Sequence, residues 1–276
     1  MLEKMTSYAD NFEDVLLRRA FPDETEGFYI DVGAYDPVAH SVTKYFSERG
    51  WRGINVEPNP AVFERLRAGR PRDVNLNLGL SDHEGELTLY EAPAACWSVD
   101  PDLLTGWFGA DRDELVERTI PVTTLARVCD EHVPPDATIH FLKVDVEGHE
   151  REVLAGADWS RWRPRVVLAE ANRPETWEPL LLDSGYLFAL FDGVNRFYVR
   201  EEDRDLLPIL AAPANAGDNF VINGYLEVIF NLQQKLASYE ELGPNALGIA
   251  RRLHRLSARY PKASSQLRQV IRRLVG

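Results

Sequence analysis

Phe28-Tyr29-Ile30-Asp31-Val32-Gly33-Ala34-Tyr35-Asp36-Pro37 is the stretch on which the fold turns. A short apolar run of strand formers ends in an acid, a glycine and turn residues. Val38 to Arg49 then reads as a helix that stops at Gly50. Strand, tight turn and helix in that order open an α/β nucleotide-type site. The glycine permits close backbone approach, and Asp31 sits where a strand's carboxyl end opens into a crevice. None of the 18 glycines falls in a G-x-G-x-x-G or G-x-x-x-x-G-K-[ST] pattern, which argues against a pyrophosphate or triphosphate cradle. A nucleoside ligand without phosphates fits better, and S-adenosylmethionine is the common one.

Working outward, Gly53 to Val56 is a second apolar strand that ends in Glu57 before Pro58. Glu57 lies 26 residues past Asp31, near the spacing at which a second-strand acid takes the ribose hydroxyls of a nucleoside. A carboxylate can accept from both hydroxyls at once. Asp73 to Leu80 reads as a third strand, with Ser81-Asp82 at its end either reading an adenine or forming a simple turn. The most informative run is Ile139 to Val146, a central strand followed by Glu147-Gly148-His149-Glu150. Alternation puts Phe141, Lys143 and Asp145 on one face and Leu142, Val144 and Val146 on the other. A charged pair inside an apolar central strand is costly unless it is functional or well paired.

Arg165 to Ala171 is a further strand with Glu170 and Asn172 at its mouth. Pro174 to Ser184 reads as a helix, and Tyr186 to Phe191 and Arg196 to Val199 as strands around the Asp192-Gly193 turn. Residues 1–20 read as a helix, one that can dock over the sheet's edge. Glu86 to Tyr90 and Ile120 to Val122 read as strands of an antiparallel insertion, with Thr123 to Val133 as the helix that follows. Ala92 to Glu117 lacks clear periodicity, as a lid or substrate loop does. Its Trp97, Ser98, Trp107 and Phe108 are candidates for an acceptor platform, or simply seal the loop onto the body.

The chain resembles the FkbM-type methyltransferases, a family of S-adenosylmethionine-dependent O-methyltransferases. The pieces that carry the resemblance are Ser7 to Asp14, the opening stretch, Gly50 to Pro58, Asn77 to Asp82 and, above all, Leu142 to Glu150. The resemblance implies a class I methyltransferase fold: a Rossmann-like, mostly parallel seven-stranded sheet with helices on both faces, closed by an antiparallel hairpin. It implies Asn11 and Glu13 against the cofactor. It also implies hydroxyl acceptors among polyketides, glycans and glycolipids. The expected organisation is a methyltransferase domain over 1–217, with the insertion at 86–122, and a helical, basic appendage over 218–276.

Composition narrows the partners. A net charge of −13 argues against nucleic acid. From Gly243 onward there are eight basic residues and no acids, which leaves 23 basic against 44 acidic in the remainder, a net of −21. Asn219 to Leu242, Ala246 to Tyr260 and Ser264 to Leu274 read as amphipathic helices, the last two basic. They are expected to drive self-association into a dimer, with a surface for an acidic partner or anionic lipid as the alternative. Cys96 and Cys129 form neither a metal spacing nor a disulfide framework, so a cytoplasmic location is expected. No apolar span reaches membrane length.

Methyl transfer to a hydroxyl requires a rigidly held donor, an acceptor oxygen at attack distance and removal of its proton. Asp31, Gly33, Tyr35, Glu57, Ser81, Asp82 and Asp145 are the expected cofactor residues, with Asn11 added by the resemblance. His149 is the first candidate for the base, with Asp145 or Glu147 behind it. Asp145, Glu170 and Asn172 form an all-oxygen set suited to Mg²⁺. The acceptor expected is a sugar or glycan hydroxyl, with a polyketide or other secondary-metabolite alcohol as the alternative. A non-catalytic scaffold that recruits partners through its tail is the competing class.

Overall fold

The structure is a computed structural model that describes residues 3–92, 97–108 and 112–241. Its body begins with β1 (Met5–Ser7), α1 (Glu13–Ala20), β2 (Phe28–Val32), α2 (Lys44–Glu48), β3 (Arg52–Val56), α3 (Pro60–Gly69) and β4 (Val74–Leu76). The insertion supplies β5 (Gly79–Ser81), β6 (Gly85–Glu91), β7 (Trp97–Ser98), α4 (Pro101–Phe108) and β8 (Val116–Thr124). The chain returns with α5 (Leu125–His132), β9 (Ile139–Val144), α6 (Glu150–Ala155), β10 (Val166–Glu170), α7 (Pro174–Asp183), β11 (Tyr186–Phe191) and β12 (Asn195–Arg200). It ends in α8 (Leu207–Leu210), β13 (Phe220–Ile222) and α9 (Asn223–Glu241).

Seven strands form the main sheet in the order β11-β12-β10-β9-β2-β3-β4. Only β12 runs antiparallel to its neighbours, between β10 and β11. The chain leaves β2 toward β3 and β4, then returns on the other side of β2 with β9. That reversal opens a crevice beyond the carboxyl ends of β2 and β9, where ligands bind in open α/β sheets. The order and the single antiparallel strand are those of the class I methyltransferase fold.

Strand alternation divides the core in two. Ile30, Val32, Leu142 and Val144 pack with α5, α6 and α7 on one face. Tyr29, Phe141, Val166 and Leu168 pack with α1, α2 and α8 on the other. A parallel sheet is stable with both faces covered in this way.

Several elements differ from the pattern read in the sequence, each for a local reason. Residues 1–20 are not one helix. Residues 5–7 pair with β13, and the Asp14 carboxylate accepts from Ser7 Oγ (2.7 Å) and Tyr8 N (2.8 Å), holding a turn before α1. The helix expected from Val38 begins only at Lys44. Asp36 Oδ1 accepts from Val38 N and Ala39 N, and this Asx turn competes with helical pairing. The third strand is broken: the Asn77 amide donates to the Glu57 and Pro58 carbonyls, so the chain leaves the main sheet after β4 and starts a second one at β5.

That second sheet has the order β5-β8-β6-β7. Its long antiparallel pair, Gly85 to Glu91 against Val116 to Val122, is the insertion hairpin expected from the sequence. The segment between is more regular than its composition implied. Asp100 Oδ1 accepts from Asp102 N (2.9 Å) and Pro101 opens the helix α4.

The chain divides into two units, the first running to Val221 and the second beginning at Ile222. Asp218 to Val221, expected in the appendage, therefore belong to the body, where Arg19 binds the Asp218 carboxylate (2.6 Å). In the second unit α9 leaves Tyr225, Val228, Phe230 and Leu232 exposed. The basic helices expected at 246–260 and 264–274, and the side chains of Trp107 and Phe108, lie outside what is described. No helix of the described residues is long and apolar enough to cross a membrane.

Candidate active site

The crevice is built from the loops after β2, β3 and β9. Gly33 (φ 79°) turns the chain out of β2, with its N–H donated to Val56 O (3.0 Å). Asp145 N donates to Val32 O (3.1 Å), so pairing of β2 and β9 runs to the edge of the site. Tyr35, His40 and Glu147 hold left-handed backbone (φ 51°, 62° and 56°). All three line one cavity of about 320 Å³. Backbone strain of this kind concentrates where ligands are held.

Seven expected residues meet in that cavity: Glu13, Gly33, Tyr35, Glu57, Asp145, Glu147 and His149. Glu57 is buried, and its two oxygens accept from Tyr35 N (3.0 Å) and Asn59 N (2.8 Å). Burial raises its pKa, against those two bonds. Each carboxylate oxygen keeps a second lone pair for a ligand hydroxyl. Apolar walls come from Val62 and from the insertion's Leu80, Leu87, Leu89, Trp97 and Ile120. Asn59 caps α3, accepting from Ala61 N and Val62 N, and so fixes where Val62 points.

The other expected residues lie outside the lining. Asp31 is buried beneath it, where Oδ2 accepts from Thr43 (3.0 Å) and Oδ1 faces Lys143 Nζ at 3.5 Å. Asn11 donates to Asp192 Oδ1 (3.2 Å) and pins the N-terminal segment to the Asp192-Gly193 turn. Ser81 is fully buried, and Asp82 turns outward to His83 (2.7 Å), which lowers its pKa. The corner expected at Ser81-Asp82 thus presents Gly79 and Leu80 to the cavity instead.

His149 lines the cavity with its ring held at both nitrogens. Nε2 meets Ser81 Oγ at 3.2 Å and Nδ1 meets Glu152 Oε2 at 3.4 Å. Burial lowers its pKa despite Glu152, so the ring is neutral at neutral pH. A neutral imidazole oriented by a carboxylate can accept a proton.

Carboxylates gather beside it. Asp145, Glu147 and Glu170 each offer an oxygen within 4.8 Å of the others. Burial, then the charges of Asp145, Glu147 and Glu150, push Glu170 up to about 9. Acids crowded in this way hold protons or a cation. Asn172, expected as a third oxygen ligand, donates its amide N–H to Glu170 Oε2 and so sits beside the cluster. Glu147 adds a third carboxylate beside Asp145 and Glu170.

Some contributors were not singled out from sequence. Glu150 Oε1 accepts from Val146 N (3.2 Å) and Gly148 N (3.0 Å), shaping the loop after β9, and burial moves it to about 7. An acid at the first helical position after a glycine turn was the available signal. Ser98, a candidate for the acceptor platform, clips the insertion down by donating its Oγ–H to Glu147 O (2.5 Å), and the Arg173–Asp100 pair (2.6 Å), not singled out, adds to this. Asp10 and His40, paired at 2.7 Å, also line the cavity, and no periodicity marks that contact.

None of the curated proteins compared with the chain matches it significantly. Among solved structures, it is similar to a TehB-like SAM-dependent methyltransferase from Corynebacterium glutamicum ATCC 13032 Kitasato. The identity is 10%, over 69% of this chain and 89% of that one, with a TM-score of 0.37. It is also similar to a precorrin-6y C5,15-methyltransferase from Geobacter metallireducens GS-15, at 10% identity over 71% and 93% of the two chains and a TM-score of 0.38. The family model described as the methyltransferase FkbM domain matches residues 31–204, more than half of the sequence, including the loops after β2, β3 and β9 that build the crevice. The chain belongs to the FkbM methyltransferase family.

Proposed function

We propose that this methyltransferase acts on a hydroxyl of a sugar or glycan, with His149 as the base. The observation that carries the reading is the convergence of Gly33, Glu57, Asp145 and His149, from the loops after β2, β3 and β9, on one cavity. Family membership implies S-adenosylmethionine, which when bound supplies an electrophilic methyl group on a positively charged sulfur. The donor set fits that group. Glu57 offers acceptors for the ribose hydroxyls, and Val62, Leu80 and Ile120 offer an apolar slot for the base. The surrounding carboxylates suit its charge.

The acceptor hydroxyl gives its proton to His149 Nε2 in place of the Ser81 contact. Glu152 keeps the other ring proton on Nδ1, which leaves the lone pair on Nε2. Asp145 or Glu147 is the alternative base. A divalent cation such as Mg²⁺ would be held by Asp145, Glu147 and Glu170 and would lower the pKa of the acceptor hydroxyl. The apolar face of the insertion, with Trp97 and Val99 beside Leu87 and Leu89, favours a second reading, in which the hydroxyl belongs to a polyketide or another secondary-metabolite alcohol. We place the enzyme in the cytoplasm, in keeping with the buried free thiol of Cys129. Its C-terminal helices are assigned to self-association, with anionic lipid as the competing partner.

A screen of sugar and polyketide alcohols with a labelled methyl donor tests the acceptor class. Label transfer to sugars supports the first reading, and transfer to polyketide alcohols alone replaces it with the second.

A further inference from the structure

Lys143 is the one expected strand charge to which the reading above gives no task. It sits on β9 beside Asp31 of β2 in the parallel register, and it is buried yet lines the cavity. Its ammonium donates to Gly33 O (2.8 Å) and lies 3.3 Å from Asp145 Oδ2 and 3.5 Å from Asp31 Oδ1. Burial alone would lower its pKa, but the Asp145 and Asp31 carboxylates outweigh burial and raise it above the ordinary lysine range. These contacts fix the Lys143 ammonium in the wall of the cavity read as the donor site.

Such a placement works against a cation in the cavity. Coulomb forces between groups this deep are screened far less than at the surface. A site made only to grip the sulfonium would omit the ammonium. S-adenosylmethionine and S-adenosylhomocysteine share their nucleoside and amino-acid parts and differ by one methyl group and one positive charge. A fixed charge near the sulfur acts on the difference between them, while the nucleoside contacts act on both alike.

We propose that Lys143 is a specificity-determining residue of the donor site: with Asp31 and Asp145 it sets the charge that decides how strongly the sulfonium donor is preferred over the neutral thioether product. This rests on the reading of the cavity as the donor site. The Lys143 charge restrains tight binding of the donor and so favours the step in which the positive charge leaves sulfur.

The test is calorimetric titration of the full chain with each of the two ligands at one pH in EDTA. Wild type is compared with Lys143→Met and Asp31→Asn. Removing the cation should shift the ratio of the two dissociation constants about tenfold toward the sulfonium, and removing the anion should shift it the opposite way. General damage to the site lowers both affinities together and leaves the ratio where it was. An unchanged ratio, or a shift of the same sign in both variants, overturns the proposal. If Lys143→Met does not fold, the near-isosteric Asp31→Asn decides alone: a shift away from the sulfonium supports the proposal, and no shift or the reverse overturns it. Wild type that binds neither ligand rejects the donor-site reading itself, an outcome distinct from a bound pair whose ratio does not move.

Discussion

The backbone carbonyl of Asp145 lies 1.8 Å from the point where a Cβ on Gly33 would stand. The two loops that open the crevice, after β2 and after β9, therefore meet through a contact that no side chain can share. Gly33 also has φ of 79°, which penalises any other residue independently. Gly33→Ala should cost roughly 3 kcal/mol or more in urea unfolding and should weaken S-adenosylhomocysteine binding. A variant with wild-type stability and affinity would mean that the two loops can part freely.

If His149 is the base, His149→Ala should lower turnover about 100-fold and leave S-adenosylhomocysteine affinity within about twofold. Glu152→Gln should lower turnover less, as a residue acting through the imidazole. Parallel losses of affinity and turnover in His149→Ala would make the ring a donor contact and pass the base to Asp145 or Glu147.

The strand skeleton was legible because its signal is local and periodic. Apolar β-formers end in Asp31, Glu57, Asp145 and Glu170, and glycines or prolines stop the chain where the sheet needs it stopped. The convergence of Glu57 and Asp145 followed from their places at parallel strand ends. What was not legible depends on side chains reaching across the sequence. Asn77 breaks a strand by capping the Glu57 and Pro58 carbonyls, and Asp14 folds back onto Ser7. Lys143 looks like a second site charge, yet spacing alone does not tell that Asp31 lies beneath the cavity as its counterion.

Stability should depend on pH through the N-terminal segment. Burial raises Glu13 from its ordinary 4.5 to about 7 and Asp14 from 3.8 to about 6. The folded protein thus holds these protons more tightly than the unfolded chain. Their favourable contribution is complete below the unfolded values and is lost as pH rises through the folded ones, between roughly 4 and 7. Urea unfolding at pH 5 and pH 8 should show wild type losing up to about 3 kcal/mol relative to Glu13→Gln. A difference independent of pH would remove Glu13 from this role.

Mg²⁺ should raise the melting temperature by several degrees if Asp145, Glu147 and Glu170 seat a cation, because a ligand of the folded state alone stabilises it. Glu170→Gln should abolish that increase, and EDTA should reverse it. Identical melting with and without the ion would leave the cluster as proton-sharing acids.

The full chain should be dimeric by light scattering, and a chain ending at Val221, which keeps the whole first unit, should be monomeric. An unchanged mass would move self-association to the body.

Calorimetric titration of the full chain with S-adenosylhomocysteine tests the central claim most directly. The account predicts saturable one-to-one binding, weakened about tenfold or more by Glu57→Ala through loss of the ribose acceptors. Absence of heat at high protein concentration, or equal affinity in Glu57→Ala, would contradict it.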